Sequence, residues 1–305
     1  MSSPPPEGFR FRSGSESDLE AVAALVRAEE KHLRGESQWG PLEMIDFWRR
    51  ADFDGGTWIV ETSGGEPVGF ATTLHRDDET DCWAAVRPEV TKRGISTGLL
   101  ARVEERARGR NSRKLKVGMF AENVAARALF EELGFREARR YYHMRIVFDR
   151  PPEPAATPDG FELTGFRRED ARAFHAAMNE SFEEEWGFVS LPFEDWEQMR
   201  LGAPDADTSL WFVARDGDEI AGGIRGDVEK YGGGWIGMLG VRRPWRKRGL
   251  GLALLQHAFV EFHRRGDTHV GLGVDADNPT GATRLYEKAG MRVLTEDIVF
   301  EKELA

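Results

Sequence analysis

Arg246, Gly249 and Gly251 stand close together in the segment Leu239-Gly240-Val241-Arg242-Arg243-Pro244-Trp245-Arg246-Lys247-Arg248-Gly249-Leu250-Gly251-Leu252. Those residue types at that spacing suit the gripping of an anion. A strand that ends, turns and becomes a helix leaves the first N–H groups of the helix without internal partners, at the positive end of its dipole. Glycines at 249 and 251 omit the Cβ atoms that would hold a phosphate away from the backbone, and Arg246, Lys247 and Arg248 add flanking charge. Taken alone, a basic glycine turn is explained equally well by an ordinary strand-to-helix connection.

The segment has an earlier copy, Ala85-Val86-Arg87-Pro88-Glu89-Val90-Thr91-Lys92-Arg93-Gly94-Ile95-Ser96, offset by 155 residues. Aligned, Thr91 faces Arg246 and Ser96 faces Gly251. Only the later copy has every residue that anion chemistry needs.

At 305 residues the chain is long for one core and comfortable for two domains. A formal net charge of −11 repels nucleic acid at long range and tilts the choice of small-molecule partner toward a cation or a neutral amine. Cys82 is the one cysteine, so no disulfide framework exists. Met1 to Pro6 lacks the basic-then-apolar pattern of a leader, and no run of about eighteen apolar residues occurs. A cytoplasmic protein without a membrane partner is therefore expected, and the richness in Ala, Arg and Gly over Lys suggests a bacterial source of high GC content. The seven histidines are scattered without ligand spacing, so no metal is expected.

Between Asp149 and Gly160 the chain reads Asp-Arg-Pro-Pro-Glu-Pro-Ala-Ala-Thr-Pro-Asp-Gly, which neither pairs as a strand nor continues a helix. This predicts a linker over residues 151–160 between domains 1–150 and 161–305. The signals on its two sides repeat. Each half opens with a short strand (Phe9–Arg12, Phe161–Thr164). A helix follows through Val22, Leu25 and Val26 or through Phe174, Ala177 and Met178, then a second helix near 42–51 or 193–201. A hairpin comes next, turning at Gly64-Gly65 or Asp216-Gly217, and places Trp58 and Trp211 at matching positions. The glycine turn then opens a long helix, with Leu252, Leu255, Phe259 and Phe262 on its apolar face in the second half. A strand, a short helix and a final strand (Tyr141–Phe148, Ile298–Leu304) are expected to close each half. The order βααβββαβαβ predicts an α/β fold, with a mixed, mostly antiparallel central sheet flanked by helices in each domain.

Asn278 and the run Tyr286-Glu287-Lys288-Ala289-Gly290-Met291 follow the second turn. An Arg-x-x-Gly-x-Gly turn succeeded by strand, Asn, helix, Tyr and Gly-hydrophobe resembles the GNAT superfamily of N-acetyltransferases. The likeness covers nearly the whole chain twice, and the tandem layout looks most like the mycothiol-synthase-type bacterial acetyltransferases. The resemblance implies acetyl-CoA as cosubstrate. Arg246, Lys247, Arg248, Gly249, Leu250, Gly251 and Leu252 match the pyrophosphate loop of coenzyme A. Leu239, Gly240 and Val241 match the strand that pairs with the pantetheine arm, with the Leu239 N–H polarising the thioester carbonyl. Asn278 matches the pantetheine-side asparagine, and Tyr286 the general acid that protonates the departing thiolate. The reaction implied is direct attack by an amine, without metal or acyl-enzyme.

In the first half Thr91, Ser96 and Phe130 stand where Arg246, Gly251 and Tyr286 stand in the second, and Phe130 has no proton to give. The first domain is accordingly expected to be catalytically idle and to serve as a packing partner, although Lys92-Arg93-Gly94 and Asn123 survive.

In this family the acceptor lies against the loop between the first two helices, here Glu183-Glu184-Glu185-Trp186-Gly187-Phe188-Val189. Glutamates at a helix C-terminus oppose its dipole, and a cationic amine over Trp186 would account for them; a solvated acidic face would account for them too. Mycothiol-synthase-like proteins carry a base Glu on the strand before the turn, where this chain has Trp235. That directs the search for a base to Glu184, Glu185, Asp227 or Glu229, with Asp275 and Asp277 better read as turn and cap residues. The expected function is acetyl transfer to a primary amine in residues 161–305. A CoA-binding protein without turnover, a different acyl donor, and either a monomer or a homodimer all remain open to the sequence.

Overall fold

A computed structural model describes residues 5–37, 41–153, 156–202, 206–230 and 232–304, except for the side chains of residues 41–43, 46, 229 and 230. In chain order the elements are β1 (Phe9–Ser13), α1 (Leu19–Arg34), α2 (Pro41–Trp48), β2 (Thr57–Thr62), β3 (Pro67–Arg76), β4 (Glu79–Val86), α3 (Ile95–Gly109), β5 (Lys114–Phe120), α4 (Val124–Glu132), β6 (Arg136–Val147), β7 (Glu162–Gly165), α5 (Ala171–Phe182), α6 (Phe193–Leu201), β8 (Trp211–Asp216), β9 (Glu219–Lys230), β10 (Gly233–Val241), α7 (Leu250–Arg264), β11 (His269–Asp275), α8 (Ala282–Lys288) and β12 (Arg292–Glu303).

The chain forms two compact units, Met1–Arg140 with Glu296–Ala305, and Tyr141–Thr295. In the first the strands run β1-β2-β3-β4-β5-β12, and in the second β7-β8-β9-β10-β11-β6. All neighbours are antiparallel except β4 with β5 and β10 with β11.

The sequence division at residues 151–160 is corrected here. The strands expected to close their own halves each close the other. Tyr141–Val147 of β6 pairs with β11, and Asp297–Glu303 of β12 pairs with β5. Both strands are twelve residues long, enough for the first residues to stay in the unit where the strand begins while the rest pair in the other. Alternation of period two says which face is buried, not which edge a strand joins.

In the second unit, helix α7 turns Leu254, Leu255, Ala258, Phe259 and Phe262 onto one sheet face, against Phe212, Ile224, Ile236, Val270 and Leu272. Full burial of each such side chain contributes about 1.5–3 kcal/mol. Phe262 fits because Gly234 has no side chain: a Cβ there would lie 2.5 Å from its ring. Leu252 was expected on this face but is only half-buried, and lines a cleft instead. Helix α5 covers the opposite face with Phe174, Ala177 and Met178 against Trp211, Val213 and Ile220. Trp211 therefore belongs to this face, whereas Trp58 of the first unit packs with the α3 side; the two tryptophans are not equivalent.

Candidate active site

Strands β10 and β11 run parallel only over Gly234–Ile236 and Val270–Leu272. The β9–β10 register shifts between Ile236 and Met238, after which β10 continues with β9 and β11 continues with β6. The two parallel strands thus separate, and a cleft of about 740 Å³ opens between Gly237–Val241 and Gly273–Asp275. The Arg242 N–H donates to Ala221 O at 2.9 Å. By antiparallel alternation, Gly240 and Met238 then also turn their backbone groups to β9, while Leu239 and Val241 turn theirs toward the cleft. The Leu239 N–H is therefore placed to meet whatever enters.

One wall of the cleft is the strand-to-helix turn. After a 3-10 turn at Arg243–Trp245 the chain passes through Lys247 at φ 62° and Gly249 at φ 87° into α7. No side chain caps α7, so its first-turn N–H groups face the cleft at the positive end of the dipole. Lysine in the left-handed region is strained by about 1 kcal/mol, a cost accepted where the turn must present its backbone. A Cβ on Gly251 would lie 3.0 Å from Leu285 Cδ2, so the glycine keeps room at the helix start. The Arg246 guanidinium donates to Val241 O at 3.0 Å, Ser181 O at 3.2 Å and Glu184 Oε2 at 2.6 Å, which fixes it beside the turn. Arg248, expected among the anion ligands, does not line the cleft. Its guanidinium stacks 4.4 Å over the Phe161 ring and faces Asp216 at 4.0 Å.

Glu184 and Glu185, adjacent after α5, separate in role. Glu184 is held by Arg246 and by Arg243 at 2.9 Å, which keep its carboxyl below the usual range and point it away from the cleft. Glu185 lines the cleft, and burial raises its pKa. It accepts a 2.6 Å hydrogen bond from Asn278 Nδ2, and Asn278 Oδ1 accepts from the Thr280 N–H at 2.9 Å and hydroxyl at 2.6 Å. Tyr286 on α8 is buried in the α7 core with its edge on the cleft. Burial first, then the charge of Glu185, pushes its phenol above the ordinary range.

Asp275 is buried and accepts from the Asp277 N–H at 2.8 Å, in keeping with a turn role. Asp227 pairs with Arg225 at 3.3 Å and does not line the cleft. The side chain of Glu229 lies outside the described residues. Trp235 lies across Gly271, where a Cβ would come within 2.9 Å of the indole, with His143 edge-on at 5.6 Å. Also at the cleft, and unmarked by any motif, are Tyr141, Phe182 and Met238. They come from three separate strands and helices, so only the folded chain gathers them.

The first unit repeats the cleft with different contents. Strands β4 and β5 pair over Glu79–Cys82 and then part. Lys92 at φ 61° and Gly94 at φ 79° reproduce the turn, and α3 is likewise uncapped by any side chain. Thr91 only returns its hydroxyl to Pro88 O. Phe130 packs against Phe135 and Phe300.

A family model, the acetyltransferase (GNAT) family, matches residues 22–135 and 171–291. The chain is 29% identical over 263 residues to a mycothiol acetyltransferase of Clavibacter sepedonicus, covering 82% of each. It is 28% identical over 310 residues to one of Geodermatophilus obscurus, covering 92% of this chain and 93% of that protein. The solved structure of a GCN5-related N-acetyltransferase from Sphaerobacter thermophilus is similar at 32% identity and TM-score 0.85, with 99% of this chain and 97% of that one covered. A tandem GNAT protein from the clavulanic acid biosynthesis pathway shares the fold at 19% identity and TM-score 0.74, with 97% and 98% covered. With the family matched in both halves, the chain belongs to the acetyltransferase (GNAT) family and is an N-acetyltransferase that carries the fold twice.

Proposed function

We propose that the cleft of the second unit transfers the acetyl group of acetyl-CoA to a small primary amine by direct attack. The observation that carries this is convergence: the uncapped α7 N-terminus, the Leu239 N–H, Tyr286 and Glu185 all open on one cleft. The residues present fit the cosubstrate. Gly249, Leu250, Gly251 and Leu252 offer backbone donors to its pyrophosphate, with charge from Arg246 and Lys247. Acetyl-CoA supplies an acyl carbon already activated as a thioester.

Glu185 takes a proton from the incoming ammonium, leaving a lone pair for attack. Its raised pKa suits that task better than the low one of Glu184. The Leu239 N–H stabilises the charge that gathers on the carbonyl oxygen as the C–N bond forms. Burial keeps the Tyr286 phenol protonated, so it donates toward the sulfur as the C–S bond breaks, and the remaining excess proton shed by the nitrogen of the new amide restores the phenol. In the first unit Phe130, which has no such proton, lines the cleft instead.

Titration calorimetry of the full chain with acetyl-CoA, followed by thiol release with an amine panel, tests the reading. One tight site and amine-dependent thiol release support it. No binding overturns it, and binding with no release from any amine or acyl donor favours a sensing protein.

A further inference from the structure

The cleft is not uniform along its length. Its cations among the described residues are Arg246 and Lys247, both on the anion turn, and Arg246 is already engaged by Glu184. On the α5 side of the sheet the contents change. A Cβ on Gly240 would lie 2.7 Å from Ser181 and 3.2 Å from the Phe182 ring, and Met238 packs with the α5 core, so this stretch of β10 faces the α5 end. The lining there is Phe182, Trp186, Phe188 and Met238, with the carboxyls of Glu185 and Asp275 and the Tyr141 side chain beside them and the Phe182 and Phe188 rings 5.7 Å apart. Ser181 is buried and spends its proton on Ala177 O at 2.7 Å.

This wall discriminates by chemistry. A polyhydroxylated amine would set those of its hydroxyls that miss Glu185, Asp275 and Tyr141 against rings, and buried unpaired hydroxyls weaken binding. An amino acid would bring a carboxylate toward Glu185 and Asp275, which repel it, while the lining cations among the described residues, Arg246 and Lys247, stand at the turn. An ammonium on an aromatic scaffold meets neither obstacle: its charge faces Glu185 and its ring lies among Phe182, Trp186 and Phe188.

Resting on the proposed acetyl transfer in this cleft, we infer that the acceptor is a primary amine on an aromatic scaffold bearing no carboxylate. Trp186 and Phe188 set that preference, and Glu185 selects the ammonium.

The test is calorimetric titration of the full chain, with and without CoA, using phenethylamine, phenylalanine and glucosamine as probes. Phenethylamine is expected to bind at least about tenfold more tightly than either of the others, a difference of one decade in Kd. Trp186→Ala and Phe188→Ala are each expected to remove most of that margin while CoA affinity stays unchanged. Equal or tighter binding of phenylalanine or glucosamine overturns the inference, as does absence of phenethylamine binding to the CoA-loaded chain. Loss of CoA binding with the amine order kept overturns the acetyl-transfer reading alone.

Discussion

Asn278 donates to Glu185 Oε1 at 2.6 Å, and in the other unit Asn123 donates to Glu29 Oε1 at 2.7 Å. The two glutamates are not at matching positions: Glu29 lies within α1, whereas Glu185 follows the end of α5. Each cleft nevertheless has an asparagine-held carboxyl pushed upward by burial, to about 7 for Glu29. The clefts differ in the ring that accompanies this pair. Tyr286 stands at one and Phe130 at the other, so the first unit retains the buried carboxyl without a phenol beside it.

The rate of acetyl transfer should rise with pH along a limb set by Glu185. The carboxyl acts only when deprotonated, and burial places its titration above the ordinary carboxylate range. Asn278→Ala removes the hydrogen bond that favours the charged form, so the limb should move to higher pH. Glu185→Gln should abolish the limb and slow turnover by about 10²-fold or more. A pH profile of kcat/KM for the three proteins checks this, and an unmoved limb in both variants would assign the titration elsewhere.

Tyr286→Phe copies the first unit's residue into the second. Turnover should fall by about 10²–10⁴-fold, the usual worth of a positioned acid, with acetyl-CoA affinity within a few-fold of the parent. Steady-state kinetics beside calorimetry separates this from misfolding, which would lower both.

Gly251→Ser and Arg246→Thr carry the other two first-unit residues across. The serine Cβ would press on Leu285 at 3.0 Å, and threonine removes the guanidinium that joins Val241, Ser181 and Glu184. Each should weaken acetyl-CoA binding by about tenfold, the scale of one charge-assisted hydrogen bond. The double variant should lose its tight site in a titration. A retained tight site would mean that the first unit binds the cosubstrate.

Stability of the first unit should depend on Asp52, which accepts from Arg106 at 2.8 and 3.1 Å and meets His75 at 3.0 Å. Hydrogen bonds from those partners outweigh burial and hold its carboxyl below the ordinary range. A depressed folded-state pKa stabilises above the unfolded value, and that contribution is lost as pH falls through the folded one. Asp52→Ala should cost about 3 kcal/mol near neutrality, since it leaves a buried pair broken. Melting curves at several pH values should show the gap between parent and variant closing in acid.

The shape of the turn before α7 was legible because it is set by the backbone: Gly249 and Lys247 take up positive φ in one short segment, and short segments are what residue order describes. The same holds for the α5 and α7 cores, where spacing of three and four places Phe174, Met178, Phe259 and Phe262 correctly. The place of the Arg248 side chain was not legible because charge says nothing about direction, and the Phe161 ring it stacks on lies 87 residues earlier in the chain. Glu184 and Glu185 read alike as neighbours in an acidic run; burial and partners separated by about sixty to ninety residues, Arg246 and Asn278, tell them apart.

The exchanged strands bear on the order in which this polypeptide can finish folding as it is made. The strands of the second unit's sheet, β7 to β11 and the Tyr141–Val147 part of β6, all lie between Tyr141 and Asp275, so that sheet comes from one continuous stretch of chain. The first unit, although encoded first, lacks its β5 partner until residues 297–303 emerge. Until then the β5 edge, with Leu115 and Val117 beside it, is an unpaired strand of the kind that recruits wrong partners. On the ribosome the half synthesised first is thus the half completed last.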